Sequence, residues 1–367
     1  MTQTTLYQQS PAWIRSISPY VPGKPVTELA RDIGLPLESI VKLASNENPL
    51  GISPKARAAV EKAMNGIERY PDTFDLAAAL ASHLRVRHEQ IVLGNGSNDV
   101  LDLAARVFLT TGRSAVMAQH TFVVYLLATV MTGAECIVTP AKNYGHDLAA
   151  MRAALRPDTR VVWIANPNNP TGTFLPYDDI KAFLRGVPAD VAVVIDEAYN
   201  EYLPPDLRVD TVRWIDEFPN LIVTRTFSKV YGLAGLRVGY AVAAPEVADL
   251  MNRVRQPFNV NNLAAAAAIA ALDDKAFVDQ SHELNRRGMR QIEAGLKELG
   301  LEWIPSRGNF ITFRVADAAG VNQRLLRQGV IVRPLVGYEM PQHLRVTIGL
   351  EQENERFLAA LKNALNS

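Results

Sequence analysis

The amino-acid sequence predicts an α/β protein whose central sheet is mostly parallel. Three short segments, Val161–Ala165, Val191–Ile195 and Leu221–Thr224, are rich in aliphatic and β-branched residues at successive positions. A strand has this pattern when helices cover both faces of its sheet, as they do in parallel sheets. Segments with helical patterns, Asp178–Leu184 and Val212–Phe218, separate the three strands. Because strands and helices alternate along the chain, a layered α/β domain is expected.

Two segments further upstream extend the predicted sheet. Ser114–Met117 and Cys136–Thr139 have the composition of short buried strands, and Asp99–Phe108 has the apolar spacing of a helix. These elements precede the three strands described above, so we expect all of them in one large domain.

The composition changes beyond Asn259 and predicts a smaller α+β domain. Helical patterns occur at Leu263–Leu272, Gln280–Leu299, Val321–Gln328 and Glu353–Leu365. Shorter strands are predicted at Phe310–Val315, Val330–Arg333 and Leu344–Ile348.

The N-terminal segment is predicted to be an arm on the protein surface. Residues 1–35 contain Pro11, Pro19, Pro22 and Pro25, which are too many for one helix. The predicted organisation is therefore an N-terminal arm (1–35), a large domain (36–258) and a small domain (259–367).

The charge and cysteine content argue against several classes of function. Lysine plus arginine and aspartate plus glutamate are balanced at 38 each, so no overall basic field attracts nucleic acid or an anionic membrane. The single cysteine, Cys136, cannot form an intrachain disulfide and has no partner for a metal site. The N-terminus lacks a signal-peptide pattern, and the longest apolar stretch, 122–132, is too short to span a bilayer. We expect a cytoplasmic protein that binds no metal, membrane or nucleic acid.

Polar residues with varied chemistry follow each of the three strands. Asn-Pro-Asn-Asn-Pro-Thr-Gly (166–172) follows the first, Asp-Glu-Ala-Tyr (196–199) the second, and the segment Thr226–Arg237 the third. In open parallel sheets, ligands bind beyond the carboxyl ends of the strands. Taken singly, these segments are also typical of turns, a helix cap and a packed aromatic residue. Their convergence at one edge of the sheet favours a functional site.

The third segment suits a lysine that bonds covalently to an aldehyde cofactor. Lys229 lies between small hydroxyl residues, a glycine-rich turn and Arg237. Lysine forms Schiff bases with pyridoxal phosphate, and it is most reactive when burial and neighbouring cations lower its pKa. Arg237 is a candidate for such a cation.

Together, the three segments resemble those of the fold-type I pyridoxal-phosphate aminotransferases, in which they occur in the same order. The resemblance extends over most of the chain. It implies a large domain with a mixed, mostly parallel sheet flanked by helices, a smaller α+β C-terminal domain, and pyridoxal 5'-phosphate as the cofactor. It also implies a homodimer with shared active sites, and an amino donor and a 2-oxo acid as substrates.

The resemblance implies roles for residues around the cofactor ring. Lys229 holds the aldehyde and moves a proton once a substrate amine has displaced it. Asp196 faces the pyridine nitrogen and favours its protonated form. Tyr199 and Asn169 hydrogen-bond the ring hydroxyl oxygen, and Phe122 stacks on the ring. Many relatives carry tyrosine at the position of Phe122, so this chain keeps the stacking surface and lacks that hydroxyl.

The phosphate of such a cofactor needs donors and positive potential. Gly94–Asn98 precedes the predicted helix Asp99–Phe108, and backbone N–H groups at a helix start bind anions. Tyr70, in Arg69–Asp72, resembles the tyrosine that reaches the phosphate from the other subunit, which would make the dimer part of the catalyst. The remaining implied phosphate contacts are Gly96, Ser97, Asn98, Thr226, Ser228 and Arg237.

Substrate choice is expected to depend on arginines and on N-terminal residues. Arg345 resembles the small-domain arginine that binds a substrate carboxylate or phosphate, and Arg333 is a second candidate. Tyr20, in Ser18–Gly23, and Asn48, in an Asn-Glu-Asn-Pro loop, resemble residues of the histidinol-phosphate aminotransferases that contact the substrate phosphate and line the entrance.

The reaction implied by this subfamily is a ping-pong step of histidine biosynthesis. It interconverts L-histidinol phosphate plus 2-oxoglutarate with imidazole-acetol phosphate plus L-glutamate. An aromatic amino acid or phenylpyruvate aminotransferase stays open as the alternative, because one aromatic pocket accommodates imidazole, phenyl or phenol rings. A phosphothreonine decarboxylase is less favoured, and so is a cofactor-binding regulator, for which an added DNA-binding domain is expected.

Overall fold

The computed structural model describes residues 5–19 and 23–366. Within them, the α-helices are Leu6–Gln9, Ala12–Arg15, Val26–Ile33, Pro54–Ala63, Phe74–Leu84, Ser97–Phe108, Val123–Met131, Leu148–Ala153, Tyr177–Leu184, Pro245–Arg253, Asn262–Leu272, Lys275–Glu298, Ala318–Arg327 and Glu351–Asn366. The strands are Val41–Lys42, Ile91–Gly94, Ser114–Ala118, Glu135–Thr139, Thr159–Ala165, Ala192–Asp196, Leu221–Thr226, Gly239–Ala243, Trp303–Ile304, Phe310–Arg314, Val330–Ile331, Arg333–Pro334 and His343–Thr347.

Seven of the described strands form a large sheet. From edge to edge, these strands begin at Ile91, Gly239, Leu221, Ala192, Thr159, Ser114 and Glu135. The last five pair in parallel, whereas Gly239–Ala243 runs antiparallel to the strand on each side of it. The sheet is therefore mixed and mostly parallel, which confirms the predicted fold class.

Successive residues of the central strands pack into two different cores. In Thr159–Ala165, Val162 shares one core with residues of helix Tyr177–Leu184, and Trp163 shares another with residues of helix Ser97–Phe108. Both side chains are fully buried. Helices on both faces of the sheet explain why these strands are apolar at successive positions rather than alternately.

The residues beyond Asn259 contribute a second, antiparallel sheet. Its strand order is Arg333–Pro334, His343–Thr347, Phe310–Arg314 and Trp303–Ile304. Residues of helices Lys275–Glu298, Ala318–Arg327 and Glu351–Asn366 join these strands in a separate core. This is the α+β region that the sequence predicted at the C-terminus.

The predicted strand Val330–Arg333 is divided in the structure. Val330–Ile331 pairs in parallel with Val41–Lys42, and Arg333–Pro334 pairs with His343–Thr347. Pro334 has no N–H group, so its strand lies at the edge of its sheet. Residues 41–42 thus pair with the C-terminal region, and the domain boundaries after residues 35 and 258 stay predictions.

The predicted helix Val212–Phe218 is a short 3₁₀ helix, Thr211–Asp216. No side chain caps its start. Pro219, which follows closely, cannot continue a helical hydrogen-bond pattern. Elsewhere in the described chain, no helix is both long enough and apolar enough to span a membrane.

Candidate active site

A cavity of about 190 Å³ lies beyond the carboxyl ends of the central strands. Asp196, the last residue of its strand, is in register with Ala165 and Thr224 on the two neighbouring strands, so the segments that follow these strands converge. The residues singled out in the sequence that line this cavity are Ser97, Asn98, Phe122, Asn169, Asp196, Tyr199, Thr226, Ser228, Lys229, Arg237, Arg333 and Arg345.

Lys229 is a partly buried amine with a depressed proton affinity. Its Nζ donates a hydrogen bond to the backbone oxygen of Ser45 at 3.2 Å and lies 5.8 Å from the centre of the Tyr199 ring. Burial lowers the pKa of Lys229 to about 8, and the positive charge of Arg345 acts in the same direction. Arg237, the cation expected from the sequence, contributes less than Arg345. The neutral, nucleophilic amine is therefore populated at much lower pH than in an exposed lysine.

Asp196 is buried and has only one of its carboxylate oxygens engaged. The hydroxyl of Tyr125 donates a hydrogen bond to Oδ2 at 2.8 Å. Oδ1 has no hydrogen-bond partner among the described residues, although the side chain lines the cavity. Burial raises the pKa of Asp196 above its ordinary value. Since an unpaired buried carboxylate oxygen costs free energy, this atom suits an N–H donor of a ligand.

The hydroxyl of Tyr199 accepts a hydrogen bond from Asn46 Nδ2 at 2.8 Å. Asn46 is itself held in place, because its backbone N–H donates to Thr347 Oγ1 and its carbonyl oxygen accepts from Asn309 Nδ2. Its φ of 56° lies in the left-handed region, which asparagine tolerates better than most residues. Burial raises the pKa of Tyr199 to about 12, so its hydroxyl stays protonated and can donate a hydrogen bond to a ligand.

The start of helix Ser97–Phe108 provides an anion site. Gly96 precedes the helix, and no side chain caps its first turn. The backbone N–H groups and the helix dipole are therefore available to a negatively charged ligand. Arg237 adds a positive charge nearby, with its Nη1 3.5 Å from Ser228 Oγ.

Two glycines allow the close packing around this helix start. A Cβ atom on Gly96 would lie 2.4 Å from Arg237 Nη2, and one on Gly239 would lie 2.4 Å from the backbone nitrogen of Ser97. Gly96 also has a φ of 83°, which favours glycine. Sequence reasoning did not single out Gly239, and its position two residues after Arg237 was the only available signal.

Arg345 connects the C-terminal sheet with the cavity. Its Nη1 donates to Asn169 Oδ1 at 2.5 Å, and its Nη2 donates to the backbone oxygen of Ala44 at 2.8 Å. Arg333 is paired with Arg345 on the neighbouring strand and also lines the cavity. Two guanidinium groups therefore lie at one cavity, where their planar donors suit a carboxylate or a phosphate.

A buried ion pair braces the strand ends beside the cavity. Arg225 and Glu197 approach to 2.8 Å, and the hydroxyls of Tyr177 and Thr211 also donate to Glu197. Because these bonds satisfy Glu197, its burial is compensated. Glu197 directly follows Asp196, so the pair limits movement of this strand end.

Three of the described residues singled out in the sequence, Gly96, Tyr70 and Asn48, are not in the cavity lining. Tyr70 is 81% exposed and stacks on Phe258, with ring centres 4.5 Å apart. Asn48 Nδ2 donates to the backbone oxygen of Val230 at 2.7 Å and to Ser281 Oγ at 2.8 Å. The Asn48 side chain thus supports the lysine segment from within the protein.

Tyr20, the predicted phosphate contact of the arm, lies outside the described residues. Conversely, the cavity includes residues that sequence reasoning missed or assigned to packing. Tyr125 follows Phe122 by three residues, which places both on one side of a helix turn. Asn46 belongs to the same loop as Asn48, whereas no motif pointed to Tyr338.

These groups fit a phosphorylated pyridine aldehyde. Lys229 offers an amine, Asp196 an unpartnered acceptor, Tyr199 a protonated phenol, and the helix start with Arg237 an anion site. Within residues 5–19 and 23–366, no group of three or more His, Cys, Asp or Glu side chains is arranged to hold a metal ion.

The chain is similar to known aminotransferases over nearly its whole length. Residues 38–361 match the model of the family Aminotransferase class I and II. The Histidinol-phosphate aminotransferase 1 of Dechloromonas aromatica (strain RCB) is 72% identical over 361 residues, which cover 98% of this chain and 100% of that protein. The Histidinol-phosphate aminotransferase 2 of Nitrosospira multiformis is 60% identical, with 98% and 92% covered.

A solved structure gives the same result. The crystal structure of histidinol-phosphate aminotransferase from Sinorhizobium meliloti in complex with pyridoxal-5'-phosphate superposes with a TM-score of 0.88 at 27% identity and covers 98% of each chain. Fold and sequence thus agree over both the large sheet and the C-terminal region. The chain belongs to the class I and II aminotransferases, a pyridoxal-phosphate-dependent family, and within it to the group of the histidinol-phosphate aminotransferases.

Proposed function

We propose that this protein binds pyridoxal phosphate and interconverts L-histidinol phosphate plus 2-oxoglutarate with imidazole-acetol phosphate plus L-glutamate. The observation that carries the proposal is the convergence of Lys229, the unpartnered oxygen of Asp196 and the uncapped start of helix Ser97–Phe108 at one cavity. The names of the similar proteins from Dechloromonas and Nitrosospira support the choice of substrate.

Bound pyridoxal phosphate supplies an aldehyde that accepts the amino group and a ring that delocalises the electron pair left at the substrate carbon. Lys229 Nζ would hold the aldehyde, and as a free amine it would be the base that takes the proton from the substrate carbon. The Asp196 carboxylate would hold the ring nitrogen and favour its protonated form. Tyr199 and Asn169 would hold the ring oxygen, and Phe122 would support the ring face.

The pKa of Lys229 suits it both as a nucleophile and as a base. With a pKa of about 8, the amine exchanges its proton near neutral pH, whereas an ordinary lysine would stay protonated. A general base works best when its pKa lies near the operating pH. Burial of the side chain and the charge of Arg345 thus prepare the amine for reaction.

The start of helix Ser97–Phe108 would bind the cofactor phosphate. The N–H groups of Ser97 and Asn98 would donate to the phosphate oxygens, and Arg237 would balance their charge. The hydroxyls of Thr226 and Ser228 would be further hydrogen-bond donors to the phosphate.

Arg345 and Arg333 bind the anionic groups of the substrates. Histidinol phosphate and imidazole-acetol phosphate carry a phosphate, and 2-oxoglutarate and glutamate carry carboxylates. A guanidinium fork accepts either group, so one pocket serves both half-reactions.

A panel of amino donors tests the proposed substrate. With 2-oxoglutarate as acceptor, we expect kcat/KM for L-histidinol phosphate to exceed that for phenylalanine or tyrosine by about 100-fold or more, because its phosphate offers the two arginines more charge and more acceptor oxygens than a carboxylate does. L-Histidinol, which lacks only the phosphate, is the matched control and should resemble the poor donors. Comparable kcat/KM values for phenylalanine and histidinol phosphate would instead favour an aromatic aminotransferase.

Replacing Gly239 with alanine tests the anion site. The added methyl group would meet the Ser97 nitrogen at 2.4 Å and push the helix start away. We expect the dissociation constant for pyridoxal phosphate to rise about 10-fold or more, since overpacking at such sites costs about 1–3 kcal/mol. Gly235→Ala, where a Cβ atom meets nothing within 4 Å, is the matched control. Equal affinities of the two variants would contradict this role of the helix start.

We further propose that the protein works as a homodimer in which Tyr70 reaches the partner's cavity. Tyr70 and Phe258 form an exposed aromatic pair, and Met64, Ile67 and Phe74 are exposed nearby in the sequence. So many exposed apolar side chains in one segment are typical of a protein interface. Tyr70 is not among the residues that line the cavity of its own chain, which agrees with this assignment.

Mixed dimers test the shared site. A dimer of one Tyr70→Phe chain and one Lys229→Ala chain contains one cavity with both native residues, so it should recover the activity of one intact site. Both parental variants should be much less active. If verified mixed dimers recover no activity, Tyr70 does not serve the partner's cavity.

A further inference from the structure

Tyr125 is a buried tyrosine whose ring is held from two sides. It lies on helix Val123–Met131 and is fully buried. Its ring stacks on that of Trp163, with centres 5.3 Å apart and planes within 1°, and the ring of Phe122 packs against it edge-on at 5.7 Å. Trp163 is fixed in turn, because its Nε1 donates to Thr129 Oγ1 at 3.1 Å. The position of the Tyr125 hydroxyl is therefore set by the surrounding core.

This hydroxyl acts on the Asp196 carboxylate as a donor. It lies 2.8 Å from Oδ2. Burial and the nearby carboxylate raise the pKa of Tyr125 well above its ordinary value, so the phenol keeps its proton. A hydrogen bond from a neutral donor to a carboxylate is stronger than one between neutral groups and stabilises the charged form. Tyr125 therefore stabilises the anion that burial disfavours.

The bond also distinguishes the two carboxylate oxygens of Asp196. With Oδ2 bound to Tyr125, Oδ1 is the oxygen left without a partner among the described residues, and Asp196 lines the cavity. Rotation of the carboxylate would break the bond to Tyr125. One oxygen is thus held in place, and its bond fixes the orientation of the whole carboxylate.

We propose that Tyr125 is a positioning residue that fixes the Asp196 carboxylate for its contact with the cofactor ring nitrogen. This inference rests on the proposed function, because it assumes that Asp196 meets that nitrogen. Tyr125 contacts the carboxylate through its hydroxyl, so it would act through Asp196. If Tyr125 only packs in the core, replacing Tyr125 and Asp196 together should give a different result than if Tyr125 positions the Asp196 carboxylate.

The test is the dissociation constant of pyridoxamine 5'-phosphate, measured by equilibrium dialysis of the full chain. This ligand retains the ring and the phosphate and cannot bond to Lys229, so the ring contacts dominate the comparison. Tyr125→Phe removes only the hydroxyl and is expected to weaken binding about 10- to 100-fold, the usual effect of a hydrogen bond to a charged group. Tyr177→Phe is the matched control, because it removes a buried tyrosine hydroxyl that donates to Glu197, the residue after Asp196. Its affinity should stay within about 3-fold of the native value.

A double-mutant cycle separates positioning from packing. In an Asp196→Ala background no carboxylate remains to be positioned, so Tyr125→Phe should then change the affinity by less than about 3-fold. Full additivity of the two changes, or an unchanged affinity of Tyr125→Phe alone, would overturn the inference. If Asp196→Ala alone leaves the affinity unchanged, the contact of Asp196 with the ring nitrogen fails, and that result contradicts the proposed function itself.

Discussion

Replacing Lys229 with alanine is expected to lower kcat for transamination by about 10⁴-fold or more, because the change removes both the nucleophile and the base. The folded structure should persist, since Lys229 makes only one hydrogen bond that the structure records, to the backbone of Ser45. Removing a buried amine whose pKa is depressed also relieves a desolvation cost. Single-turnover conversion of histidinol phosphate by the purified variant measures the effect.

The control for this experiment is Lys275→Ala. Lys275 is highly exposed and pairs only with Asp279 one helical turn away, so its removal should leave kcat within about 2-fold of the native value. A Lys229→Ala variant that keeps more than about one tenth of the native kcat would show that another residue moves the proton.

Replacing Arg345 with lysine is expected to have the second largest effect. Lysine keeps the positive charge and loses the planar fork that donates to Asn169, to Ala44 and to a substrate anion. We expect kcat/KM to fall about 100-fold for both half-reactions, mainly through KM, because one or two charge-assisted hydrogen bonds are lost. Steady-state kinetics with histidinol phosphate and with 2-oxoglutarate measure the two effects separately.

Arg314→Lys is the matched control for Arg345→Lys. Arg314 lies on the neighbouring strand of the same sheet, and its side chain is exposed and bonds to Gln342. Its replacement should leave both KM values unchanged within about 2-fold. If Arg345→Lys also leaves both KM values unchanged, Arg345 supports the fold without binding the substrates.

The large sheet could be predicted because its central strands are apolar at successive positions. Val161–Ala165 and Leu221–Thr224 have this pattern because they are buried on both faces of the sheet. Ile91–Gly94 was missed because four residues are too few to show a period, and Gly239–Ala243 was missed because glycine and alanine make up three of its five residues. Their pairing depends on partners far away in the chain, which local pattern cannot reveal.

The site was predictable where a motif follows a strand. Asn169, Asp196 and Lys229 all lie in such segments, and the structure brings them to one cavity. Contacts between distant segments could not be predicted in the same way. The bond between Asn46 and Tyr199 joins residues 153 positions apart, and it depends on how the C-terminal sheet packs against the large one.

Other expectations from the sequence stay predictions. Tyr20 falls outside the described residues, and the dimer and the cytoplasmic location rest on the resemblance and on composition. The role of each residue around the cofactor is likewise a proposal, although the residues proposed to contact its ring line the cavity.

Lys229 is the residue expected to carry the cofactor. Borohydride reduction of the loaded protein, followed by protease digestion and mass spectrometry, identifies the labelled side chain directly. We expect the phosphopyridoxyl mass on the peptide that contains Lys229 and no such label in the Lys229→Ala variant. A label on another lysine of the native protein would contradict the proposed site.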